Sequence, residues 1–294
     1  MSEHELSTVD RINSLLDDIL IHILSSVPTK QAFVTSILSK RWIHLWLYVP
    51  VLELNEIRSK DLESPYHFVL SSLLRWFCFS RGACSHLNLP SLKTLHLKDI
   101  IFDQQCQLMM LLDACPVLED LQLSNIINLE SYTRDYFDDF ESSSMLRKLN
   151  RADITACNWY FYIYRYYYDF PTFHNLTHLV HNYDWNIVVW VLHHCPKLQN
   201  LELYQKLIGN IRMHYWLYPK SVPSCVSLNL TTCTMRDFAL AGQQCNHIML
   251  AIFILKNARV LETMTIWSNN KQSEIESRLS PCPRASATCQ LSFY

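Results

Sequence analysis

Two groups of histidines are the residues best suited to metal chemistry. The run His193–Cys195 offers three adjacent ligand types, but neighbouring side chains on a helix point about 100° apart and do not easily share one ion. The spacing of His174, His178 and His181 would suit a helical metal site, yet it overlaps a predicted strand. We therefore predict structural histidines, with His193 or His194 exposed and Cys195 packed inward, and no bound metal.

Two further segments could bind a ligand. The aromatic run 160–168 resembles a stacking platform for nucleic acid, but it holds one arginine and precedes Asp169, so the cationic half of such a site is missing. It is read as a strand with aromatic contacts on both faces, or as a partner-binding patch. The acidic cluster over residues 135–141 is interpreted as a solvated loop. Because no nucleophile motif or carboxylate pair stands out, we expect no catalytic residues and no cofactor.

Composition narrows the class of protein. The chain has 294 residues, a net charge of −2, 49% hydrophobic and 18% charged residues, and only three glycines. These values indicate an ordered chain and give no reason to expect nucleic acid or an anionic membrane as partner. The N-terminus lacks a signal-peptide pattern, and the longest apolar run, Ile248–Leu255, is too short to span a membrane. Eleven cysteines without a CxxC pair predict reduced thiols, and we expect a cytoplasmic and/or nuclear location.

The first 50 residues carry more large apolar side chains than so short a segment can bury. Residues 19–27 form one helical stripe that Pro28 stops, and Ser14 with Asp17 suggests a capping box. Thr29 can begin a second helix, and a third would carry Trp42, Leu45 and Trp46. The surplus side chains either form a protein interface or pack against the rest of the chain, and periodicity alone leaves both open.

The middle of the chain repeats a leucine pattern. LxxLxL occurs at 92–97, 118–123 and 198–203, with weaker copies at 176–181 and 261–266. Two of the clear copies follow a Cys-Pro pair, at Cys115 and Cys195, which predicts a helix, a stop and then a strand. Stacked helix–strand units of this kind bury one another's apolar faces, with the strands along the concave side. The 80-residue distance between the Cys-Pro pairs leaves room for roughly three units.

The N-terminal segment closely resembles an F-box. The resemblance rests on the run Asp10–Leu20, the turn Pro28–Lys30 and the segment Leu38–Trp46. It implies docking on the Skp-type adaptor of a cullin-based (SCF) ubiquitin ligase. The residues implied to carry the docking or its supporting core are Leu15, Leu16, Ile19, Leu20, Ile23, Leu24, Pro28, Leu38, Trp42, Leu45 and Trp46. Leu16 stands where the family usually has proline, which predicts a modestly weaker helix start.

The rest of the chain resembles the plant F-box/FBD/LRR-repeat family. Leucine-rich repeats are implied by the LxxLxL copies, and an FBD domain by residues 222–225, 254–266 and 283–291. The implied fold class is α/β: a three-helix F-box, then an irregular leucine-rich-repeat solenoid, capped by the FBD domain. The expected bounds are 7–54 for the F-box, 55–88 for a connecting segment, 89–215 for the repeat-like region and 219–294 for the FBD domain.

Two departures from the family pattern are visible. Residues 58–89 look compressed, since relatives usually carry more repeats there. Ile100, Ile126 and Lys206 occupy positions that often hold Asn or Cys, which predicts that the usual hydrogen-bonding ladder is absent.

The resemblance implies a non-enzymatic substrate-recognition subunit of an SCF-type ubiquitin ligase, in which the F-box binds the adaptor and the repeats bind an unknown target protein. Such a subunit would act by raising the effective concentration of target near the ligase. The alternative is an interaction scaffold that has lost ligase coupling.

Overall fold

The computed structural model describes residues 12, 14–35, 41–55, 88–102, 108, 111–128, 146–155, 172–181, 185–204, 218–238, 245–268 and 272–294. These residues form a mixed α/β fold. The helices are α1 (Asp17–Ser25), α2 (Thr29–Val34), α3 (Trp42–Leu45), α4 (Trp185–His193), α5 (Ser224–Leu228), α6 (Cys245–Asn257) and α7 (Gln272–Leu279). The strands are β1 (Val51–Asn55), β2 (Thr94–Lys98), β3 (Ile101–Phe102), β4 (Asp120–Ser124), β5 (Ile127–Asn128), β6 (Arg151–Thr155), β7 (His178–His181), β8 (Asn200–Tyr204), β9 (Thr232–Arg236), β10 (Thr263–Ile266) and β11 (Gln290–Phe293).

Nine of these strands form one parallel sheet, whose spatial order β1-β2-β4-β6-β7-β8-β9-β10-β11 follows the order of the chain. The short strands β3 and β5 pair separately. Each strand is thus hydrogen-bonded to the next strand of the main sheet along the chain, which requires a long connection between neighbours. The predicted helices and strands around Cys195 and at 248–266 are confirmed, as α4, β8, α6 and β10.

The strands stack in one register, so their inward side chains form two continuous columns. The first column is Leu52, Leu95, Leu121, Ala152, Leu179, Leu201, Cys233, Met264 and Leu291; the second is Leu54, Leu97, Leu123, Ile154, His181, Leu203, Met235, Ile266 and Phe293. Most of these side chains are fully buried, and all except the buried His181 belong to or pack against one apolar core. The inward leucines predicted from LxxLxL in β2, β4 and β8 are confirmed.

Main-chain hydrogen bonds join successive strands at their N-terminal ends in one repeating arrangement. The carbonyl just before a strand accepts the N–H groups of two consecutive residues at the start of the next strand. Pro50 accepts Lys93 and Thr94 in this way, at 2.8 and 3.0 Å. The same double acceptance recurs at Lys93, Glu119, Asn150, Thr177, Gln199 and Thr231, so the arrangement runs from the N-terminal helical unit into the last strands. It depends on no particular side chain.

The turns after the strands contain a side-chain bond that the sequence did not predict. Asp99, Asn125 and Asp237 lie at equivalent positions directly after β2, β4 and β9, and each has a positive φ between 51° and 55°. The Asn125 side-chain amide donates to the Asp99 carboxylate of the neighbouring turn. A side-chain bond between turns therefore exists, one residue earlier than the position considered from sequence. Short polar side chains tolerate the left-handed conformation, which explains their occurrence here. Lys206 lies outside the described residues.

The residues at the expected ladder positions have another role. Ile100 and Ile126 are both buried and belong to the main core. In these turns, Asp99 and Asn125 therefore make the polar contact, and the isoleucine that follows each of them packs into the core.

The N-terminal helices build a small core of their own, formed by Leu20, Leu24, Ala32, Trp42, Leu45 and Val49. Trp46, which follows α3, belongs instead to the main core and links the helices to the sheet. The predicted capping box is wrong: the residue before α1 is Leu16, and no side chain caps the helix there. The Asp17 carboxylate pairs with the Arg41 guanidinium. Among the helices described, none is both long and apolar enough to traverse a bilayer.

Candidate protein-interaction surfaces

One exposed apolar surface lies on α1. Leu16, Ile19 and Ile23 are 71%, 45% and 43% exposed, and their i, i+3, i+7 spacing places them on one side of the helix. Ile12, four residues before Leu16, is also exposed. We call Leu16, Ile19 and Ile23 the α1 face. Apolar side chains that stay in water on one helix face are typical of a protein-docking surface.

The opposite side of α1 packs into the small N-terminal core. Leu20 and Leu24 are almost completely buried among α2, α3 and the residues after them. The implied adaptor residues therefore separate into two groups. Leu16, Ile19, Ile23 and Pro28 are exposed and Leu15 is half-buried; Leu20, Leu24, Trp42, Leu45 and Trp46 are buried; Leu38 lies outside the described residues.

Polar contacts fix the orientation of α1 and of the sheet edge beside it. The Arg41 guanidinium bonds both the Asp17 carboxylate and the Leu15 carbonyl, so it holds the start of α1. The hydroxyl of Thr29 accepts the N–H of Glu53 in β1 at 3.0 Å. Since α2 also contacts β1, the helical unit covers the first edge of the sheet.

We predict that Leu16→Pro stabilises the chain. Leu16 has φ −66° and ψ 150°, values that proline adopts without strain, and its carbonyl still accepts the first helical bonds. Restricting the unfolded chain at such a position is worth about 0.4–1 kcal/mol. Thermal unfolding of the two proteins measures the difference, and Leu16→Ala, which keeps the free φ, is the control. A Leu16→Pro protein less stable than Leu16→Ala would contradict the argument.

The second surface is the solvent-facing side of the sheet, where the residues between the inner columns lie. Its first half is polar: the His96 ring lies 3.4 Å from a Glu53 carboxylate oxygen and 3.7 Å from one of Asp120. Asp153 lies on the same side, and burial raises its pKa; the Arg151 guanidinium lowers this pKa, while the nearby carboxylates of Glu202 and Asp120 raise it further. Carboxylate and imidazole side chains on adjacent strands make this a surface for polar recognition.

The second half of this surface ends in an aromatic row, which we define as Tyr204, Arg236, Trp267 and Tyr294. These residues occupy equivalent positions on or directly after the four adjacent strands from β8 to β11. The Arg236 guanidinium lies 5.7 Å from the Tyr204 ring centroid and 5.3 Å from that of Trp267. Trp267 and Tyr294 stack with their centroids 4.6 Å apart. The row is therefore a continuous stack of ring, cation, ring and ring.

Glu202 neutralises this row from the middle of β8. Its carboxylate pairs with the Arg236 guanidinium and accepts the Tyr204 hydroxyl at 2.8 Å. Burial and the Glu202 carboxylate together raise the pKa of Tyr204, and the hydrogen bond to Glu202 raises the pKa of Arg236. The outer members stay accessible, since Trp267 is 41% and Tyr294 is 56% exposed. Sequence reasoning missed the row because its members lie 27 to 32 residues apart.

The histidine predictions have clear outcomes. His178 and His181 lie in β7, as the strand interpretation required, while His193 is exposed and Cys195 is fully buried, as predicted. Burial raises the pKa of the Cys195 thiol and lowers the pKa of His181 to about 3. Among the described residues, no three histidine, cysteine or acidic side chains are placed to hold a metal. The aromatic run 160–168 and the acidic cluster 135–141 lie outside the described residues.

Comparison with protein families gives three matches. The model for the F-box domain matches residues 12–54, the model for the leucine-rich repeat matches 91–116, and the model for the FBD matches 218–266. The F-box match ends within β1, and the FBD match contains β9 and β10. The three matches thus lie along one sheet rather than on separate bodies.

Similar proteins come from Arabidopsis thaliana. An FBD-associated F-box protein is 26% identical over 414 residues, covering 97% of this chain and 100% of the relative. An F-box/FBD/LRR-repeat protein is 23% identical, covering 98% and 97%, and another FBD-associated F-box protein is 30% identical over 38% of this chain and 46% of its own length. The first alignment is 414 residues long and this chain has 294, so at least 120 aligned positions (414 − 294) have no counterpart here. In the order of its F-box, leucine-rich-repeat and FBD matches, and over nearly its whole length, the chain is similar to these FBD-associated F-box proteins of Arabidopsis thaliana.

Proposed function

We propose that this chain is a non-enzymatic substrate-recognition subunit of an SCF-type ubiquitin ligase. The α1 face would dock the Skp-type adaptor, and the solvent-facing side of the sheet would bind a target protein. The observation that carries the proposal is the exposure of Ile19 and Ile23 on a helix whose other side is fully packed. F-box proteins are generally receptors without catalysis of their own, and an F-box domain model matches residues 12–54.

The energetics agree with docking at α1. Fully burying an isoleucine or leucine contributes roughly 1.5–3 kcal/mol, so completing the burial of three half-exposed residues yields several kcal/mol. Leu20 and Leu24, on the buried side of α1, would act indirectly, because they hold the helix at the angle that presents the α1 face. We accordingly assign contact to Leu16, Ile19, Ile23 and Pro28, and support to the buried residues.

The finer architecture is part of the proposal. The three short helices would form the F-box, over residues 7–54, and the helix–strand units an irregular leucine-rich-repeat solenoid over 89–215. The FBD domain, over 219–294, would supply its last repeats, which is supported by the direct pairing of β8 with β9. In this plan, ubiquitin transfer would gain its rate from tethering the target near the ligase. We expect it to act in the cytoplasm, the nucleus or both.

Two observations favour a second candidate, an interaction scaffold uncoupled from the ligase. Leu16 replaces the usual proline at the docking helix, and at least 120 positions of a relative are missing. Size-exclusion chromatography of the full chain mixed with a purified Skp-type adaptor separates the candidates. A stable complex of one chain and one adaptor is expected. Separate elution of the two proteins at micromolar concentrations would contradict the ligase role and favour the interaction scaffold.

A further inference from the structure

The first residue of the α1 face is held from both sides by one arginine. The Arg41 Nη2 group donates to the Leu15 carbonyl at 2.5 Å and also to the Asp17 carboxylate, to which Nε donates at 2.8 Å. Leu16 lies between these two residues, and its side chain is 71% exposed. The main chain on either side of Leu16 is therefore held by a side chain from the residue before α3.

These contacts supply what the start of α1 lacks. The residue before the helix is Leu16, whose side chain has no oxygen atom to accept an N–H group of the first turn. Leucine also leaves φ less restricted at this position than proline would. The N–H groups of Ile19 and Leu20 both donate to the Leu16 carbonyl at 3.1 Å. Helix ends of this kind fray unless another contact holds them, and Arg41 makes that contact.

Arg41 can hold the start of α1 because its own position is fixed. The next residue, Trp42, is 5% exposed and belongs to the small N-terminal core together with Leu45. The Arg41 side chain is 35% exposed, and its planar guanidinium can bond a carboxylate and a carbonyl at the same time. Leu15 packs against the same core. Arg41 thus connects the start of α1 to the packed part of the helical unit.

We propose that Arg41 is a positioning residue for adaptor docking, which keeps Leu16 and the first turn of α1 in the binding geometry before the adaptor binds. This inference rests on the proposed function, because it concerns the same α1 face. Groups that are ordered in advance lower the entropic cost of association. Without Arg41, only a fraction of the free chains would present the complete α1 face, and the apparent affinity would fall by that fraction.

The kinetics of adaptor binding distinguish positioning from contact. Surface plasmon resonance of a purified Skp-type adaptor on the immobilised full chain gives the association and dissociation rate constants separately. Arg41→Ala should lower the association rate constant about three- to tenfold, since fewer free chains are competent to bind. The dissociation rate constant should change by less than about twofold, because a bound adaptor holds the helix start, whereas removal of a direct contact would speed dissociation.

Three further substitutions separate this effect from a change of charge. Arg278→Ala removes the arginine of another exposed ion pair, 2.9 Å from Glu274 on α7, and should leave both rate constants unchanged. Asp17→Ala changes the net charge in the opposite direction to Arg41→Ala, yet it should also slow association. Electrostatic steering alone would move these two variants in opposite directions. In a Leu16→Pro chain, Arg41→Ala should slow association by less than about twofold, since proline already restricts the helix start.

Hydrogen exchange of the free chain gives a second measurement that needs no adaptor. The Ile19 and Leu20 N–H groups should exchange about three- to tenfold faster in the Arg41→Ala chain, while thermal unfolding stays cooperative. If that variant loses cooperative unfolding, Asp17→Ala, at an exposed position, replaces it in both measurements.

Two results would overturn the positioning role. One is an adaptor that binds with an unchanged association rate constant, and the other is unchanged exchange at Ile19 and Leu20. Faster dissociation without slower association would assign Arg41 to direct contact instead. Failure of the unaltered chain to bind the adaptor at all would reject the proposed function, and the exchange rates would then still decide whether Arg41 holds the start of α1.

Discussion

Replacing Ile19 and Ile23 together by aspartate should abolish co-elution with a Skp-type adaptor while the chain stays folded. Both side chains are more than two-fifths exposed, so the free protein tolerates carboxylates there. In a complex, the substitutions remove apolar burial and force two charges out of water. The combined cost is about 3 kcal/mol or more, which lowers affinity by roughly two orders of magnitude. Calorimetric titration of the adaptor measures the change.

Two comparisons make this result specific to the α1 face. Ser25→Asp places the same charge on an exposed position of α1 away from that face, and should leave the affinity nearly unchanged. Leu20→Asp buries a carboxylate in the N-terminal core and should unfold the helical unit, so its loss of binding would report folding. Normal affinity of the Ile19→Asp, Ile23→Asp protein would show that the adaptor docks elsewhere or not at all.

Mild acid should destabilise the fold through two buried histidines. Burial lowers the pKa of His181 and of His247 to about 3, against an ordinary value of 6.5. Between pH 6.5 and pH 3 the unfolded chain therefore binds protons that the folded chain does not. Stability from these groups is complete above pH 6.5 and falls as the pH decreases through this window. From pH 7 to pH 5 the loss is about 2 kcal/mol for each histidine.

A single substitution isolates the effect. His181 occupies the second inner column, where β2, β4 and β8 carry leucine, so His181→Leu fits the position. Urea unfolding at pH 7 and pH 5 should show that this variant loses about 2 kcal/mol less than the natural chain. Asp153 acts in the opposite direction, because burial raises its pKa, and comparing variants removes that contribution. An equal loss in both proteins would refute the assignment.

The strands with strong leucine alternation were predictable from sequence. In β2, β4 and β8 the pattern matches both the columns and the buried faces, because a period of two with large apolar residues has few other solutions. The interval between the Cys-Pro pairs contains three steps from strand to strand, from β4 to β8, as its length indicated.

Other strands escaped prediction for a physical reason. In β6 and β9 the inward residues are Ala152 with Ile154 and Cys233 with Met235, which fill the columns without forming a leucine motif. A search for simple alternation at the repeat spacing would have found them. The division of the α1 residues into exposed and buried was not readable either, since a stripe of five apolar residues does not reveal which side meets the core.

The main-chain bonds that join the strands explain how a chain so much shorter than its relatives keeps an unbroken sheet. Seven of the eight junctions between neighbouring strands of the main sheet use the same carbonyl and the same two N–H groups, so one unit can adjoin another whatever its side chains. β1 joins β2 directly through Pro50 in this way, although 38 residues separate the two strands. Whole helix–strand units can therefore be lost or duplicated during evolution without new side-chain contacts at the junction. Proteins with sheets of different length can arise in this way from one repeating arrangement.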